Sequence, residues 1–393
     1  MTRFDAFYSR FTREYPYPRQ LRAYHSGSFP KAHIFREGKK LIDFSSSDYL
    51  GLGKHPFLIA RSQEFAKRFG TGSGSSRLVC GNLAIYEQLE NQLAASLGKE
   101  AALILGTGFQ ANATILEALL DESVLKNSPL VFCDKSCHAS IYTGLLRLSQ
   151  FHRFHHNDLD HLQLLLNKKA SSSQPIFIIV ESVYSMDGDQ SDLLRLIDLA
   201  EKYQAVLYVD DAHAIGIYGS RGWGKAADFS QKIDLIIGTF SKALGSFGAF
   251  LACSQVVREY LIHRCKGLIY STALSPAILG AISASMELLP HLNQERQRVI
   301  QWSQSIRKFF DEEELSYGES DSHLVPWIIG SAEKTRWVAQ QLEEQGILGV
   351  PIQYPTVPSN KNRIRFCVSA LHEAEDLELL FSSIKKVKKK LKP

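Results

Sequence analysis

The chain has 393 residues, which at roughly 150 residues per domain points to two or three domains rather than one. Apolar residues make up 45% and charged residues 22%, the ordinary balance of a globular protein with a sizeable core. No uninterrupted apolar run exceeds five residues, whereas a membrane span needs about 20, so a transmembrane enzyme is excluded. Met1–Gln20 also lacks the apolar core of a signal peptide.

The formal charge of +4 hides an asymmetry. Six lysines lie in the last nine residues, and the rest of the chain nets −2. Such a tail is either a handle for an acidic partner or, more plainly, a solvated helix end whose charge suits the helix dipole. The six cysteines (Cys80, Cys133, Cys137, Cys253, Cys265, Cys367) form no paired framework, which implies a reduced, cytoplasmic setting.

In chain order, residues 1–50 form a lead-in ending in the turn-rich run Ser45–Leu52. From about residue 85 to 255, helical periodicity alternates with short apolar strands. Tyr86–Leu97 is helical, Ala101–Leu105 a strand, and Gln110–Leu120 helical again. Further strands are expected at Leu130–Cys133, Ile176–Val180, Ala205–Val209, Leu235–Ile237 and Ala249–Ala252, with a helix at Asp192–Tyr203. Short apolar runs separated by helices indicate a mostly parallel sheet in an α/β domain, placed at 51–285. Longer amphipathic stretches follow at Ala277–Leu289 and Gln294–Glu313, then strands at Leu324–Ile329 and Arg363–Val368. That change of texture suggests a smaller α+β domain over 286–393, which carries the basic tail.

Open parallel sheets bind ligands beyond the carboxyl ends of their strands, so those positions are the candidate site. One strand ends in Asp210-Asp-Ala-His213, either a ligand pair or a capped turn with a loop histidine. Another ends in Gly238-Thr-Phe-Ser-Lys-Ala-Leu-Gly245, where Lys242 is either a desolvated amine nucleophile or an ordinary snorkelling lysine. A third runs into Gly106-Thr-Gly-Phe-Gln-Ala111, a turn that can set backbone N–H groups and a helix N-terminus against one phosphate. The glycine-rich run Gly70–Leu78 could lie near an anion or be only a flexible turn.

Two patterns are decoys. Gly219-Ser-Arg-Gly-Trp-Gly-Lys225 has P-loop spacing, but Ala226 replaces the metal-binding hydroxyl. His152, His155, His156 and His161 lack zinc-site spacing and read as a polar surface segment, so no metal site is expected.

One ligand would need the remaining pieces together. Pyridoxal phosphate requires a lysine to bond its aldehyde, an acid for its ring nitrogen and a phosphate cradle. Lys242, Asp210 and the Gly108 turn supply these, and His138, in Ser136-Cys-His-Ala-Ser140, is suited to stack on the ring.

The chain resembles the α-oxoamine synthases from about residue 20 to 380. The resemblance is carried by Phe44–Leu52, Gly72–Leu78, Ser136–Ser140, Glu181-Ser-Val-Tyr-Ser-Met-Asp-Gly-Asp189, Val209–His213, Gly238–Gly245, Tyr354-Pro-Thr-Val-Pro358 and Arg363-Ile-Arg365. It implies the fold type I, aspartate aminotransferase-like architecture: a central, mostly parallel seven-stranded sheet with a smaller C-terminal α+β domain. It implies a homodimer with active sites at the interface, no nucleic-acid or membrane partner, and decarboxylative joining of an amino acid to an acyl thioester.

Within the family, the Asp-Tyr-Leu-Gly-Leu and Pro-Thr-Val-Pro forms resemble members that join L-alanine to a pimeloyl thioester, on coenzyme A or a carrier protein, in biotin synthesis. Arg365-Phe-Cys-Val-Ser-Ala370 also resembles members that acylate serine with palmitoyl groups, and members acting on glycine share the cofactor motifs. A non-catalytic subunit of the same fold would be expected to lack Lys242.

The resemblance also implies roles for individual residues. Lys242 anchors the cofactor and then serves as the base at the substrate Cα. Asp210 pairs with the ring nitrogen, His138 stacks on the ring, and His213 and Ser185 bond the ring oxygen. Thr239 and the backbone of Gly108 and Phe109 hold the phosphate, with Ser271 and Thr272 reaching the neighbouring subunit's phosphate. Arg365 takes the amino-acid carboxylate, while Arg22 and Thr356 contact substrate. Ser47 stands where the family usually has Asn, so a shorter hydroxyl faces the expected substrate site.

Overall fold

The computed structural model describes residues 2–14, 21–27, 30–170 and 174–391. Its centre is a seven-stranded sheet of β1 (Ala101–Leu105), β2 (Leu130–Asp134), β3 (His152–Phe154), β4 (Ile176–Glu181), β5 (Val206–Asp210), β6 (Leu235–Thr239) and β7 (Ala249–Cys253). The spatial order is β1-β7-β6-β5-β4-β2-β3. Strands β6, β5, β4, β2 and β3 run parallel, and β7 runs antiparallel between β1 and β6.

Side chains alternate across a strand, and here both faces are covered. Ile104, Phe132, Ile178, Val209 and Ile236 enter one core, while Leu103, Val131, Ile179, Tyr208 and Ile237 enter the other. That double burial explains why six of the strands are legible as plain apolar runs. The seventh, β3, is three residues long with only Phe154 buried, too short to carry a pattern.

The helix Gly108–Leu119 follows β1 and starts where Thr107 Oγ1 accepts the Gln110 N–H at 3.0 Å. Pro276 opens the helix Pro276–Leu288, and Asn293–Glu312 follows. Strands Leu324–Gly330, Asn362–Cys367 and Pro351–Ile352 form a smaller three-stranded sheet.

The lead-in is stitched to this C-terminal part. Strand Lys39–Asp43 pairs in parallel with Ile347–Leu348. Phe44 O accepts the Cys367 N–H at 2.8 Å, and Tyr49 O accepts the Ala370 N–H at 2.7 Å. These bonds bring Ser47 and Tyr49 beside the strand that carries Arg365.

The P-loop-like run has a structural explanation. At Gly224, with φ of 93°, a Cβ would stand 1.9 Å from the Asp211 carboxylate. The glycine run lets the loop close on that buried acid, which also accepts the Ala226 N–H at 3.1 Å and a bond from Ser182. The Gly70–Leu78 run carries an inward-facing arginine as its penultimate residue. Arg77 lies 4.0 Å over the Tyr86 ring and pairs with Glu90 at 2.5 Å.

The histidine segment departs from the surface reading at one position. His156 is inserted between two carboxylates, with Nδ1 3.0 Å from Asp134 and Nε2 2.9 Å from Asp189. Burial lowers its pKa, but the hydrogen bonds to both acids outweigh burial and hold it at about 10. A folded pKa above the unfolded value gives stability that is complete below pH ~6.5 and is lost as pH rises through about 10. His156→Ala leaves the fully buried Asp134 facing Asp189 without their shared cation. We expect a loss of about 3–5 kcal/mol in denaturant unfolding at neutral pH, with the difference from wild type shrinking at strongly alkaline pH.

Candidate active site

The carboxyl ends of the parallel strands open onto a cavity of about 350 Å³. Ten residues singled out from the sequence line it. Asp210 ends β5, Thr239 ends β6, and Lys242 lies three residues further on. Gly108 and Phe109 open the helix after β1, and His138 precedes the helix Ala139–Leu145 after β2. Ser185 and His213 follow β4 and β5, while Ser47 and Arg365 come from the lead-in and the smaller sheet.

Asp210 is 6% exposed and accepts from Asn112 Nδ2 at 2.7 Å and from the Ala212 N–H at 3.0 Å. Burial lowers the Lys242 pKa, opposed by the Asp210 and Glu181 carboxylates, leaving it at about 8. His213 shares a 2.8 Å bond between Nδ1 and the Tyr49 hydroxyl. Its pKa is pushed down by burial and then by Lys242 and Arg365, so the ring is neutral. Burial also lowers the pKa of His138. Arg365 donates from Nη1 to Ser185 O at 2.8 Å, while its buried Nε has no partner among the described residues.

Phosphate-binding geometry is present at one end. A twelve-residue helix begins at Gly108, and a Cβ on that glycine would meet nothing within 4 Å. Thr239 and Ser241 share a 2.7 Å hydroxyl–hydroxyl bond nearby on the cavity wall.

Four expected residues lie outside this cavity in the chain. Arg22 lines a separate cleft with Trp337 and pairs with Glu343 at 3.5 Å. Thr356 is exposed on the 353–361 turn. Ser271 Oγ accepts from Gln110 Nε2 at 2.5 Å, and Thr272 bridges Ser76.

Several cavity residues escaped the sequence reading. Glu181 is the direct register neighbour of Asp210 and accepts the His138 N–H at 2.5 Å. The strand-end rule that found Asp210 applies equally to it. Burial and then Asp210 push its carboxyl well above the usual carboxylate range. Asn112 lies four residues after Gly108, one helical turn along the same face.

Comparison with known proteins identifies the family. The sequence model of the family "Aminotransferase class I and II" matches residues 39–384. The chain is 44% identical to an 8-amino-7-oxononanoate synthase of Gluconacetobacter diazotrophicus, over 89% of each chain. It is 47% identical, over 90% of each, to a Paramagnetospirillum magneticum protein that carries that name provisionally. Among solved structures, an 8-amino-7-oxononanoate synthase from Francisella tularensis superposes with a TM-score of 0.74 at 27% identity, covering 88% of this chain and 98% of that one. The serine palmitoyltransferase of Sphingomonas wittichii superposes with a TM-score of 0.90 at 24% identity, over 99% and 98%, a likeness of fold.

Fold and site together define a fold type I pyridoxal-phosphate enzyme. The chain belongs to the aminotransferase class I and II family, and within it to the α-oxoamine synthases, which carry out decarboxylative condensation. The residues present fit the cofactor: a lysine of lowered pKa, a buried carboxylate held by an amide, and an open helix N-terminus share one cavity.

An amine must be neutral to bond an aldehyde, so cofactor capture should follow the Lys242 titration. With a pKa of about 8, roughly a tenth of the amine is neutral at pH 7. The association rate of pyridoxal phosphate with cofactor-free protein should rise through a midpoint near 8. A midpoint near that of an ordinary lysine would refute the assignment of a desolvated amine.

Proposed function

We propose that this protein condenses L-alanine with a pimeloyl thioester, carried on coenzyme A or a carrier protein, to give 8-amino-7-oxononanoate, CO₂ and free thiol. The observation that carries the reaction class is the presence of Asp210, Lys242 and Arg365 in one cavity. The substrate pair is supported by the names of relatives 44–47% identical to this chain.

When bound, pyridoxal phosphate supplies the electron sink that stabilises negative charge at the amino acid's Cα. Asp210, fixed by Asn112, keeps a proton on the ring nitrogen by opposite charge. Lys242 Nζ removes the Cα proton, a role open to it because its pKa lies near neutrality. Arg365, which lines the cavity, holds the substrate carboxylate through its guanidinium. His138 and His213, both neutral, line the cavity without adding charge to the carboxylate's competitors. Thr239 and the backbone at Gly108 and Phe109 hold the phosphate.

The reading includes a homodimer in which Ser271 and Thr272 face the neighbouring subunit's phosphate, and in which Arg22 and Thr356 contact substrate. It is supported by the position of all four outside their own chain's cavity, and by the exposed apolar side chains Tyr270 and Val79.

CO₂ release decides between substrates when L-alanine, glycine and L-serine are crossed with pimeloyl, acetyl, succinyl and palmitoyl thioesters. Turnover confined to alanine and the pimeloyl donor is expected. Turnover with serine and a long acyl chain would keep the reaction and overturn the pair. In the same assay, Arg365→Ala should raise the amino-acid KM roughly 10- to 100-fold, the loss of a charged hydrogen-bond pair, with the thioester KM little changed.

A further inference from the structure

Asp210 and His138 stand on different strand ends, and a chain of hydrogen bonds joins them. Asn112, 2% exposed, lies between. Its Nδ2 donates to Asp210 Oδ2 at 2.7 Å and to Ser140 Oγ at 3.0 Å, while its Oδ1 accepts from the Tyr208 hydroxyl at 2.6 Å. The amide can sit only one way round. Turning it would press a carbonyl oxygen against the Asp210 carboxylate and leave that carboxylate short of a donor.

Ser140 passes the constraint on. Its Oγ accepts from Asn112, so its own hydrogen is free for His138 Nδ1, 2.7 Å away. The Ser140 backbone N–H points at the same nitrogen from 3.2 Å. A backbone N–H can only donate, so Nδ1 carries a lone pair, and the neutral ring holds its proton on Nε2. No described residue bonds Nε2, and His138 lines the cavity. From the other side, the His138 N–H is held by Glu181 Oε1, on the strand next to that of Asp210.

We propose that Asn112 and Ser140 are positioning residues of the reaction: they lock His138 as an Nε2–H donor toward the cavity and tie that donor to the Asp210 carboxylate. With Nδ1 committed to the protein, Nε2–H donates to a substrate oxygen, and the ring cannot reverse its polarity during turnover. The use made of that proton rests on the condensation proposed above, whereas the tautomer itself does not.

The test reads the tautomer first, by 15N NMR of histidine-labelled protein without cofactor. The His138 signal is identified by its loss in His138→Gln. Wild type should show Nε2 protonated across the neutral pH range, and an Nδ1-protonated ring overturns the inference whatever the substrate proves to be. Ser140→Ala removes the shorter of the two bonds to Nδ1 and leaves the 3.2 Å backbone N–H, so the Nδ1-protonated ring should appear as a detectable minor tautomer. In the holoenzyme, its kcat should fall about tenfold with the amino-acid KM within about twofold, and the acid limb of the pH profile should move.

Asn112→Asp keeps the acceptor for Tyr208 but loses donation to Asp210 and Ser140; the Ser140 hydroxyl can then turn to the new carboxylate and away from Nδ1, and the same minor tautomer should appear. It replaces Ser140→Ala if that variant does not fold by circular dichroism. A wild-type tautomer in the folded variants, or a mixed one with unchanged kcat and pH profile, sinks the positioning role. A wrong substrate pair would leave the NMR result untouched.

Discussion

Glu181 and Asp210 end adjacent parallel strands in direct register, and both are almost fully buried. Two carboxylates side by side in a low-dielectric interior cannot both be charged without compensation. The rest of the site can be understood as that compensation. Asn112 and the Ala212 N–H donate to Asp210, the His138 N–H donates to Glu181, and the Lys242 amine lies within the field of both. Burial and the neighbouring charge move Glu181 toward its neutral form, and Asp210 is the acid proposed to meet the ring nitrogen.

The same pair of acids sets the state of Lys242. Burial alone would drive the amine further down, and the two carboxylates hold it at about 8. A lysine poised there can carry a proton or a lone pair at little cost, which both cofactor capture and proton transfer require. Parallel topology makes the convergence possible. Every strand from β2 to β6 points its carboxyl end to one edge, so an acid, a lysine loop, a histidine turn and a helix N-terminus reach one cavity from separate elements. The remaining wall comes from elsewhere: Arg365 arrives on the smaller sheet, with Ser47 pinned beside it by the bonds from Phe44 and Tyr49.

The sequence reveals what burial makes periodic. Strands covered on both faces appear as runs of Val, Ile, Leu and Phe, and six of seven can be read directly. The edge strand His152–Phe154 cannot, because it is three residues long and two of them are polar. The lead-in is equally opaque: its strands are only two to five residues long, and Lys39–Asp43 takes a partner, Ile347–Leu348, some 300 positions away. Among site residues, Asp210 and Lys242 were legible because strand ends are where ligands bind. Glu181 also ends a strand and meets the same criterion. Asn112 and Ser140 had no such mark, since each acts through another side chain and only the folded geometry brings the three together.

That difference explains why the reaction class is more legible than the substrate. The groups proposed to handle the cofactor sit at or shortly beyond the carboxyl ends of the central strands. The groups suited to discriminate one amino acid or acyl chain from another are less regular. Ser47 lies on a turn, Arg365 on a separate sheet, and Thr356 on an exposed loop. A change there, such as the serine at position 47, alters the cavity wall without disturbing any strand. The sheet therefore constrains the chemistry tightly and the substrate loosely, and one architecture can accommodate several amino acids and acyl donors by variation at its margins.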